Sequence, residues 1–151
     1  MDPINKKQLN ANIFYIEDNL ADVTFMKTYL DRRGYKNFTV LKDGSEAREY
    51  FRVAAMEEDI PLPDLVLLDL NLPKVQGKQI LVEIKANPKL RMIPVVVFSS
   101  SQRPSDVSDC YQAYANSYIS KPHDLDLFDS TMDSLLNYWL NTVTLITTSL
   151  E

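Results

Sequence analysis

The stretch Val66-Leu67-Leu68-Asp69-Leu70-Asn71-Leu72-Pro73 joins an apolar run to a carboxylate and then to a proline-containing loop. A short apolar run that ends at loop-forming residues is typical of a fully buried strand. A second run, Asn12-Ile13-Phe14-Tyr15-Ile16, ends at Glu17 and Asp18. If the two strands are parallel neighbours, their three acidic side chains meet at one edge of a sheet, where they can hold a cation.

Length and composition limit the class of protein. The chain has 151 residues, 45% hydrophobic and 25% charged, which is typical of one globular domain with a single core. The net charge of −5 argues against binding to nucleic acid, which needs a basic face. Cys110 is the one cysteine and cannot form an internal disulfide, and residues 1–10 are polar. No apolar run approaches the ~18 residues of a membrane span. We therefore expect a cytoplasmic protein with no nucleic acid or membrane partner.

Strand-like and helix-like patterns alternate along the chain, which is the signature of a parallel sheet with crossover helices. The predicted strands cover residues 12–17, 38–41, 65–69, 94–99 and 117–120. The predicted helices cover about 20–33, a segment after the turn at 43–45, 77–86, about 104–114, and 125–139. No repeat or interior linker is visible. We expect residues 1–151 to form one domain, with a core at about 10–140 and a leader and tail on either side.

Polar residues lie at the carboxyl ends of four of the five predicted strands. Glu17 and Asp18 lie at the end of the first strand, Asp69 at the end of the third, Ser99 at the end of the fourth and Lys121 at the end of the fifth. Taken alone, each is more often a turn former, a helix cap or a solvated charge. In open parallel α/β sheets, however, ligands bind beyond the carboxyl ends of the strands. The joint placement of these residues therefore favours a functional site.

This set of residues resembles the receiver domain of two-component response regulators, over about residues 10–140. That family has an acidic pair after strand one, an acceptor Asp after strand three, Ser or Thr after strand four, and Lys-Pro after strand five. More narrowly, Lys85-Ala86-Asn87-Pro88, Val97-Phe98-Ser99-Ser100-Ser101 and Tyr138-Trp139-Leu140 are similar to single-domain regulators that partner cyanobacterial phytochromes. The resemblance implies a flavodoxin-like, doubly wound α/β fold with five parallel strands in the order 2-1-3-4-5 and five helices.

The resemblance also implies a reaction. Asp69 would be the phosphoacceptor, whose carboxylate takes a phosphoryl group from a phosphohistidine of a phytochrome-like sensor histidine kinase to give an acyl phosphate. Asp18, Asp69 and the backbone carbonyl of Asn71 would ligate Mg²⁺, and Glu17 would hold a metal-bound water. Lys121 would pair with a phosphoryl oxygen. The chain would not be an enzyme with a separate substrate, but would catalyse its own phosphotransfer and autodephosphorylation.

A conformational switch is implied by the same resemblance. Ser99 would hydrogen-bond a phosphoryl oxygen by moving towards Asp69, and Tyr118 would turn into the space that Ser99 leaves. The alternative for Tyr118 is an ordinary strand residue with its hydroxyl in water. The bond between Lys121 and Pro122 would be a cis peptide, as in relatives, because the lysine must point back into the site.

The last helix and the tail carry more apolar surface than one small core needs. We expect no further domain after the receiver, so that output passes through another protein or through self-association. We predict a homodimer through the face of helix four, strand five and helix five, with Tyr118, Phe128 and Trp139 in that face. The alternative is that Trp139 only closes the core.

Two other classes of protein share part of the pattern. A phosphatase of the haloacid dehalogenase type also uses an Asp after a parallel strand, but it needs a second acid two positions later, where this chain has Asn71. A degenerate receiver binds its partners without being phosphorylated. Because all the groups required for phosphorylation are present, we favour a phosphorylated receiver over both.

Overall fold

Residues 6–146 are described by the computed structural model of the chain. The strands are β1 (Ile13–Ile16), β2 (Phe38–Leu41), β3 (Leu65–Leu68), β4 (Val95–Ser99) and β5 (Ser117–Ser120). They form one parallel sheet in the order β2-β1-β3-β4-β5. The helices are α1 (Leu20–Arg33), α2 (Gly44–Met56), α3 (Gly77–Ala86), α4 (Pro104–Gln112) and α5 (Leu125–Asn137). The predicted flavodoxin-like fold with this strand order is confirmed.

Helices cover both faces of the sheet. This burial is favourable because the central strands carry apolar residues at every position. In β1, Phe14 and Ile16 pack into the cluster formed with α2, α3 and α4, whereas Ile13 and Tyr15 pack into the cluster formed with α1 and α5. All four residues of β3 are buried. Continuous apolar strands of this kind are typical of parallel sheets with helices on both faces.

The register of the central strands aligns their carboxyl ends. Ile16 pairs with Leu68, and Leu68 pairs with Val97. Glu17 and Asp69, which follow the first two of these residues, therefore lie at the same edge of the sheet. Helix α1 starts at this edge with an N-cap, because the side chain of Asn19 accepts a hydrogen bond from the N–H of Asp22 at 3.0 Å.

Some element boundaries differ from the prediction. Helix α4 ends at Gln112, before the predicted end at residue 114, because Tyr114 adopts a left-handed backbone conformation with φ 70°. Helix α5 ends at Asn137, and Trp139 lies in the π-helical turn Tyr138–Thr142 that follows it. A short helical turn, Lys6–Leu9, precedes β1. The parts of the predicted leader before residue 6 and of the tail after residue 146 lie outside the described residues.

The predicted cis peptide is wrong. The bond between Lys121 and Pro122 is trans, and residues 6–146 contain no cis bond. The trans chain already carries the Lys121 ammonium back into the site, where it contacts Glu17 and Asp22. The geometric reason for expecting a cis bond therefore does not apply here.

None of the helices within residues 6–146 combines the length and the apolar character that crossing a membrane requires.

Candidate functional site

Three carboxylates from two strand ends lie together at the carboxyl edge of the sheet. One oxygen from each of Glu17, Asp18 and Asp69 lies within 4.8 Å of the others. Glu17 and Asp69 are buried, with 1% and 6% of their surface exposed, whereas Asp18 is exposed. The N–H of Asp69 donates to the carbonyl oxygen of Ile16 at 3.0 Å, so the strand pairing continues to Asp69. The predicted convergence of the three side chains is confirmed.

The ammonium of Lys121 lies among these carboxylates. Its Nζ donates to Glu17 Oε1, and to Asp22 Oδ2 at 2.9 Å. Its distance to Asp69 Oδ1 is 3.8 Å, which is an ion-pair contact and too long for a hydrogen bond. Asp69 Oδ1 is therefore buried without a hydrogen-bond partner among residues 6–146. Because buried polar atoms in native proteins are nearly always satisfied, this oxygen is the position at which the site is incomplete.

Burial and crowding change the protonation of this cluster. Burial is the largest cause that raises the pKa of Glu17, and the neighbouring carboxyl groups of Asp69 and Asp22 raise it further, giving a pKa of about 9. The hydrogen bond from Lys121 lowers the pKa of Glu17 but does not reverse the effect. Burial acts to lower the pKa of Lys121, yet its hydrogen bonds to Glu17 and Asp22 outweigh burial and hold that pKa above its ordinary value. Without a metal, Lys121 is thus charged and Glu17 keeps its proton at neutral pH.

The donor set fits a small hard cation. Mg²⁺ prefers carboxylate, carbonyl and water oxygens, and it commonly binds through one or two carboxylates. Asp69, Glu17 and Asp18 each offer one carboxylate oxygen, and these oxygens lie within 4.8 Å of one another. A divalent charge here also relieves the repulsion among the carboxylates. We conclude that Glu17, Asp18 and Asp69 fit Mg²⁺; the backbone carbonyl of Asn71 remains a predicted further ligand.

The stability of the metal-free protein is expected to fall as pH rises. Folded Glu17 keeps its proton up to about pH 9, whereas an unfolded chain releases it near its ordinary pKa, so the folded state binds more protons between these values. From about pH 6 to about pH 8 we expect the free energy of unfolding in chelator to drop by about 1 to 2 kcal/mol.

Thermal and urea unfolding in chelator test this expectation. Glu17→Gln is the matched control, because it keeps the size of the side chain and removes the titrating group, and its pH dependence should be flatter. Added Mg²⁺ should raise the melting temperature of the wild type more at the higher pH. Equal pH slopes for the two proteins would contradict the assignment.

Ser99 and Tyr118 are linked through one residue, Ser101. Ser99 is fully buried at the end of β4, and its Oγ accepts a hydrogen bond from the N–H of Ser101 at 3.2 Å. The hydroxyl of Tyr118 donates to the carbonyl oxygen of Ser101 at 2.8 Å. The hydroxyl of Tyr118 is therefore bonded to the β4–α4 loop.

Three other predicted residues lie in the loop after β3 and in the last helix and the turn that follows it. Asn71 is exposed in the loop after β3. Phe128 and Trp139 are partly buried and pack against the core cluster that α1 and α5 share with the sheet. In this respect the structure agrees with the alternative in which Trp139 helps to close the core.

Sequence reasoning did not identify Asp22 as a site residue. Asp22 lies in the first turn of α1, where an acidic residue is expected simply to favour the helix N-terminus. Its contact with Lys121 joins residues 99 positions apart, and no local pattern reveals such a pair. The position of Asp22 four residues after Asp18, on a helix that starts at the site, is the signal that could have suggested it.

Comparison with known proteins agrees with this geometry. Residues 13–132 match the family model described as the response regulator receiver domain. The response regulator Rcp1 of Synechocystis sp. is 38% identical over 135 residues, which cover 88% of this chain and 91% of Rcp1.

Two solved structures resemble the chain over most of its length. The crystal structure of the phosphorylated cyanobacterial phytochrome response regulator RcpA has a TM-score of 0.84 and 37% identity, and the match covers 91% of this chain and 99% of RcpA. The crystal structure of the Mn²⁺-bound form of Rcp1 has a TM-score of 0.82 and 36% identity, with the same coverage.

Proposed function

The chain belongs to the family of response regulator receiver domains, and on this premise we propose that Asp69 is the residue that accepts a phosphoryl group from a sensor histidine kinase. The observation that carries the proposal is the buried Oδ1 of Asp69, which has no hydrogen-bond partner within residues 6–146 and lies 3.8 Å from the Lys121 ammonium. A nucleophile needs a free oxygen beside a positive charge that can receive the incoming group. Of the three clustered carboxylates, Asp69 has both a free oxygen and a neighbouring ammonium group.

In the proposed reaction, a carboxylate oxygen of Asp69 attacks the phosphorus of a phosphohistidine. A P–O bond forms, the P–N bond to the imidazole breaks, and the imidazole nitrogen keeps the electron pair of that bond and takes up a proton. Lys121 pairs with one phosphoryl oxygen, and the hydroxyl of Ser99 donates to another. Asp18 and Asp69, together with Glu17 through a metal-bound water, would hold Mg²⁺, which would supply positive charge against the phosphoryl oxygens when bound.

We also propose that the chain catalyses both its phosphorylation and its own dephosphorylation. The same groups that stabilise charge on the entering phosphoryl group stabilise it when water attacks the acyl phosphate. Asn71 and Ser100 are exposed, and we propose that an attacking water passes their side chains. We propose that the core of the receiver domain spans about residues 10–140.

The kinase partner that we propose is of the phytochrome type. Support comes from RcpA, a cyanobacterial phytochrome response regulator whose structure matches 91% of this chain at 37% identity. A phosphohistidine receives its phosphoryl group from ATP, so we place the exchange in the cytoplasm. Phosphotransfer from a purified phytochrome kinase, compared with transfer from an unrelated histidine kinase, tests this pairing.

Incubation with acetyl phosphate and Mg²⁺, followed by intact mass measurement, tests the acceptor. The wild type should gain the mass of one phosphoryl group, and Asp69→Asn should gain none because its amide is not a nucleophile. Asp31→Asn is the matched control: Asp31 is an exposed carboxylate of α1, and its replacement should leave labelling unchanged. Labelling of Asp69→Asn at the wild-type rate would refute the assignment. No labelling of any protein would support a degenerate receiver.

We further propose that the chain forms a homodimer through α4, β5 and α5, with Tyr118, Phe128 and Trp139 in or beside the contact. Leu127 and Tyr138 support this face, because 56% and 53% of their surfaces are exposed and both are large and apolar. Phe128 and Trp139 are partly buried against the core, so they offer only their outer surface to a partner.

Sedimentation measurements test the dimer. Trp139→Ala should raise the dissociation constant about tenfold, because removing an aromatic anchor of an interface typically has an effect of this size. Met56→Ala is the control, since Met56 is 71% exposed on α2 and lies outside the proposed face. A wild type that remains monomeric at all concentrations, or equal constants for all three proteins, would contradict the proposal.

A further inference from the structure

A polar network surrounds Ser101, the residue that contacts both Ser99 and Tyr118. The hydroxyl of Ser101 donates to Asp106 Oδ2 in the first turn of α4, and it accepts from the N–H of Arg103 at 3.3 Å. Its N–H donates to Ser99 Oγ, and its carbonyl oxygen accepts a hydrogen bond from the hydroxyl of Tyr118. Ser101 thus has all of its polar groups engaged, which fixes both its backbone and its side chain.

Asp106 is in turn held from helix α3. Its Oδ1 lies 2.7 Å from Lys78 Nζ, and only 14% of its side chain is exposed. The hydrogen bonds from Lys78 and Ser101 hold the pKa of Asp106 below its usual range, so the pair is ionised. Arg103 Nε also lies 3.4 Å from Asp106, which adds a second positive charge.

Lys78 connects this network to the acceptor. The preceding residue, Gly77, packs so closely on the backbone of Asp69 that an added Cβ would lie 2.1 Å from the Asp69 carbonyl oxygen. The start of α3 therefore cannot move without moving the loop after β3. Lys78, the next residue, contacts Asp106, and Asp106 accepts a hydrogen bond from Ser101. A continuous chain of contacts therefore runs from that loop to Ser101.

We propose that Lys78, Asp106 and Ser101 form a positioning relay that sets the Ser99 hydroxyl relative to Asp69. The N–H of Ser101 occupies an acceptor lone pair of Ser99 Oγ, which leaves the hydroxyl hydrogen free to donate to a phosphoryl oxygen. Phosphoryl transfer depends chiefly on placing such groups correctly. The inference rests on the proposed function of Asp69 and adds residues that do not themselves touch the phosphoryl group.

Two replacements interrupt the relay. Ser101→Ala removes the hydroxyl that Asp106 accepts from, and Asp106→Asn removes the charge that Lys78 holds. Each should lower the maximal rate constant of phosphorylation by acetyl phosphate about tenfold, and leave its half-saturating concentration unchanged, because a small displacement of a positioned group slows the chemical step. The double variant should be no slower than either single variant, because both remove the same interaction.

Matched variants separate this role from simple stabilisation. Asp109 also pairs with Lys78, at 2.8 Å, but no hydrogen bond joins it to Ser101 within the described residues. Asp109→Asn should therefore keep the wild-type rate, and Ser101→Thr, which retains the hydroxyl, should restore it. Melting temperatures of all variants show whether a slower rate follows lower stability.

The outcomes are distinct. A tenfold slower Ser101→Ala with rescue by Ser101→Thr supports the relay. Wild-type rates for Ser101→Ala and Asp106→Asn, or an equal loss for Asp109→Asn, overturn it while leaving Asp69 as the acceptor. A wild type that takes up no phosphoryl group overturns the proposed function itself.

Discussion

Lys121→Met is expected to slow phosphorylation by acetyl phosphate by about 100-fold, the size of effect found when one positioned charge or donor is removed from a reacting group. The Lys121 ammonium is the one cation within 4.0 Å of Asp69 among the described residues, at 3.8 Å from Oδ1. Methionine has a similar length and cannot pair with a phosphoryl oxygen. The incoming group would then meet the carboxylates of the site with no protein cation beside them.

The same replacement should destabilise the metal-free fold. The side chain of Lys121 is 14% exposed, pairs with Asp22 at 2.9 Å and donates a hydrogen bond to Glu17, and removing such a charged donor costs about 1 to 3 kcal/mol. Added Mg²⁺ should restore part of this loss, because it supplies charge to the same carboxylates. Urea unfolding in chelator and in Mg²⁺ measures both effects.

An exposed lysine gives the control for this experiment. Lys27 lies on α1 with its side chain in solvent, so Lys27→Met should change neither the labelling rate nor the stability measurably. If Lys121→Met is labelled as fast as Lys27→Met, Lys121 does not contact the phosphoryl group. If it is slow but equally stable, the contacts of Lys121 with Glu17 and Asp22 contribute less to stability than their geometry indicates.

The fold and the carboxylate cluster could be predicted because their determinants are local in the sequence. The β3 run Val66-Leu67-Leu68 is apolar at every position and short, a pattern typical of a strand buried on both faces. The rule that ligands bind beyond the carboxyl ends of parallel strands then brings Glu17 and Asp69 together. Neither step requires knowledge of side-chain conformation.

Long-range side-chain contacts could not be predicted in the same way. Asp22 resembles an ordinary first-turn acid, and its role depends on a lysine 99 positions later. The relay residues Lys78 and Asp106 lie on different helices and resemble solvated surface charges, although Asp106 is mostly buried. The cis peptide expected before Pro122 was wrong, because the trans chain also delivers Lys121 to the site.

Gly77→Ala is expected to cost about 3 kcal/mol of stability, because the new methyl group meets backbone atoms that cannot move aside independently. The added Cβ would lie 2.1 Å from the carbonyl oxygen of Asp69 and 2.7 Å from the Cα of Leu70. A flexible side chain could rotate away from such a clash. Here the loop after β3 must shift as a whole, and the N–H of Gly77 would lose its 2.9 Å hydrogen bond to the Leu70 carbonyl oxygen.

A shift of that loop carries the acceptor with it, so Gly77→Ala should also slow labelling by about 100-fold in the fraction that remains folded.

Gly34→Ala is the matched control. Gly34 has φ 86°, and its added Cβ would meet only Leu9 side-chain atoms at 3.7 and 3.8 Å, so the cost of about 1 kcal/mol is conformational and distant from Asp69. Urea unfolding and acetyl phosphate labelling of both variants separate the two causes. A Gly77→Ala protein as stable as Gly34→Ala would show that the helix start can move away from Asp69, and wild-type labelling of that protein would show that the acceptor does not depend on it.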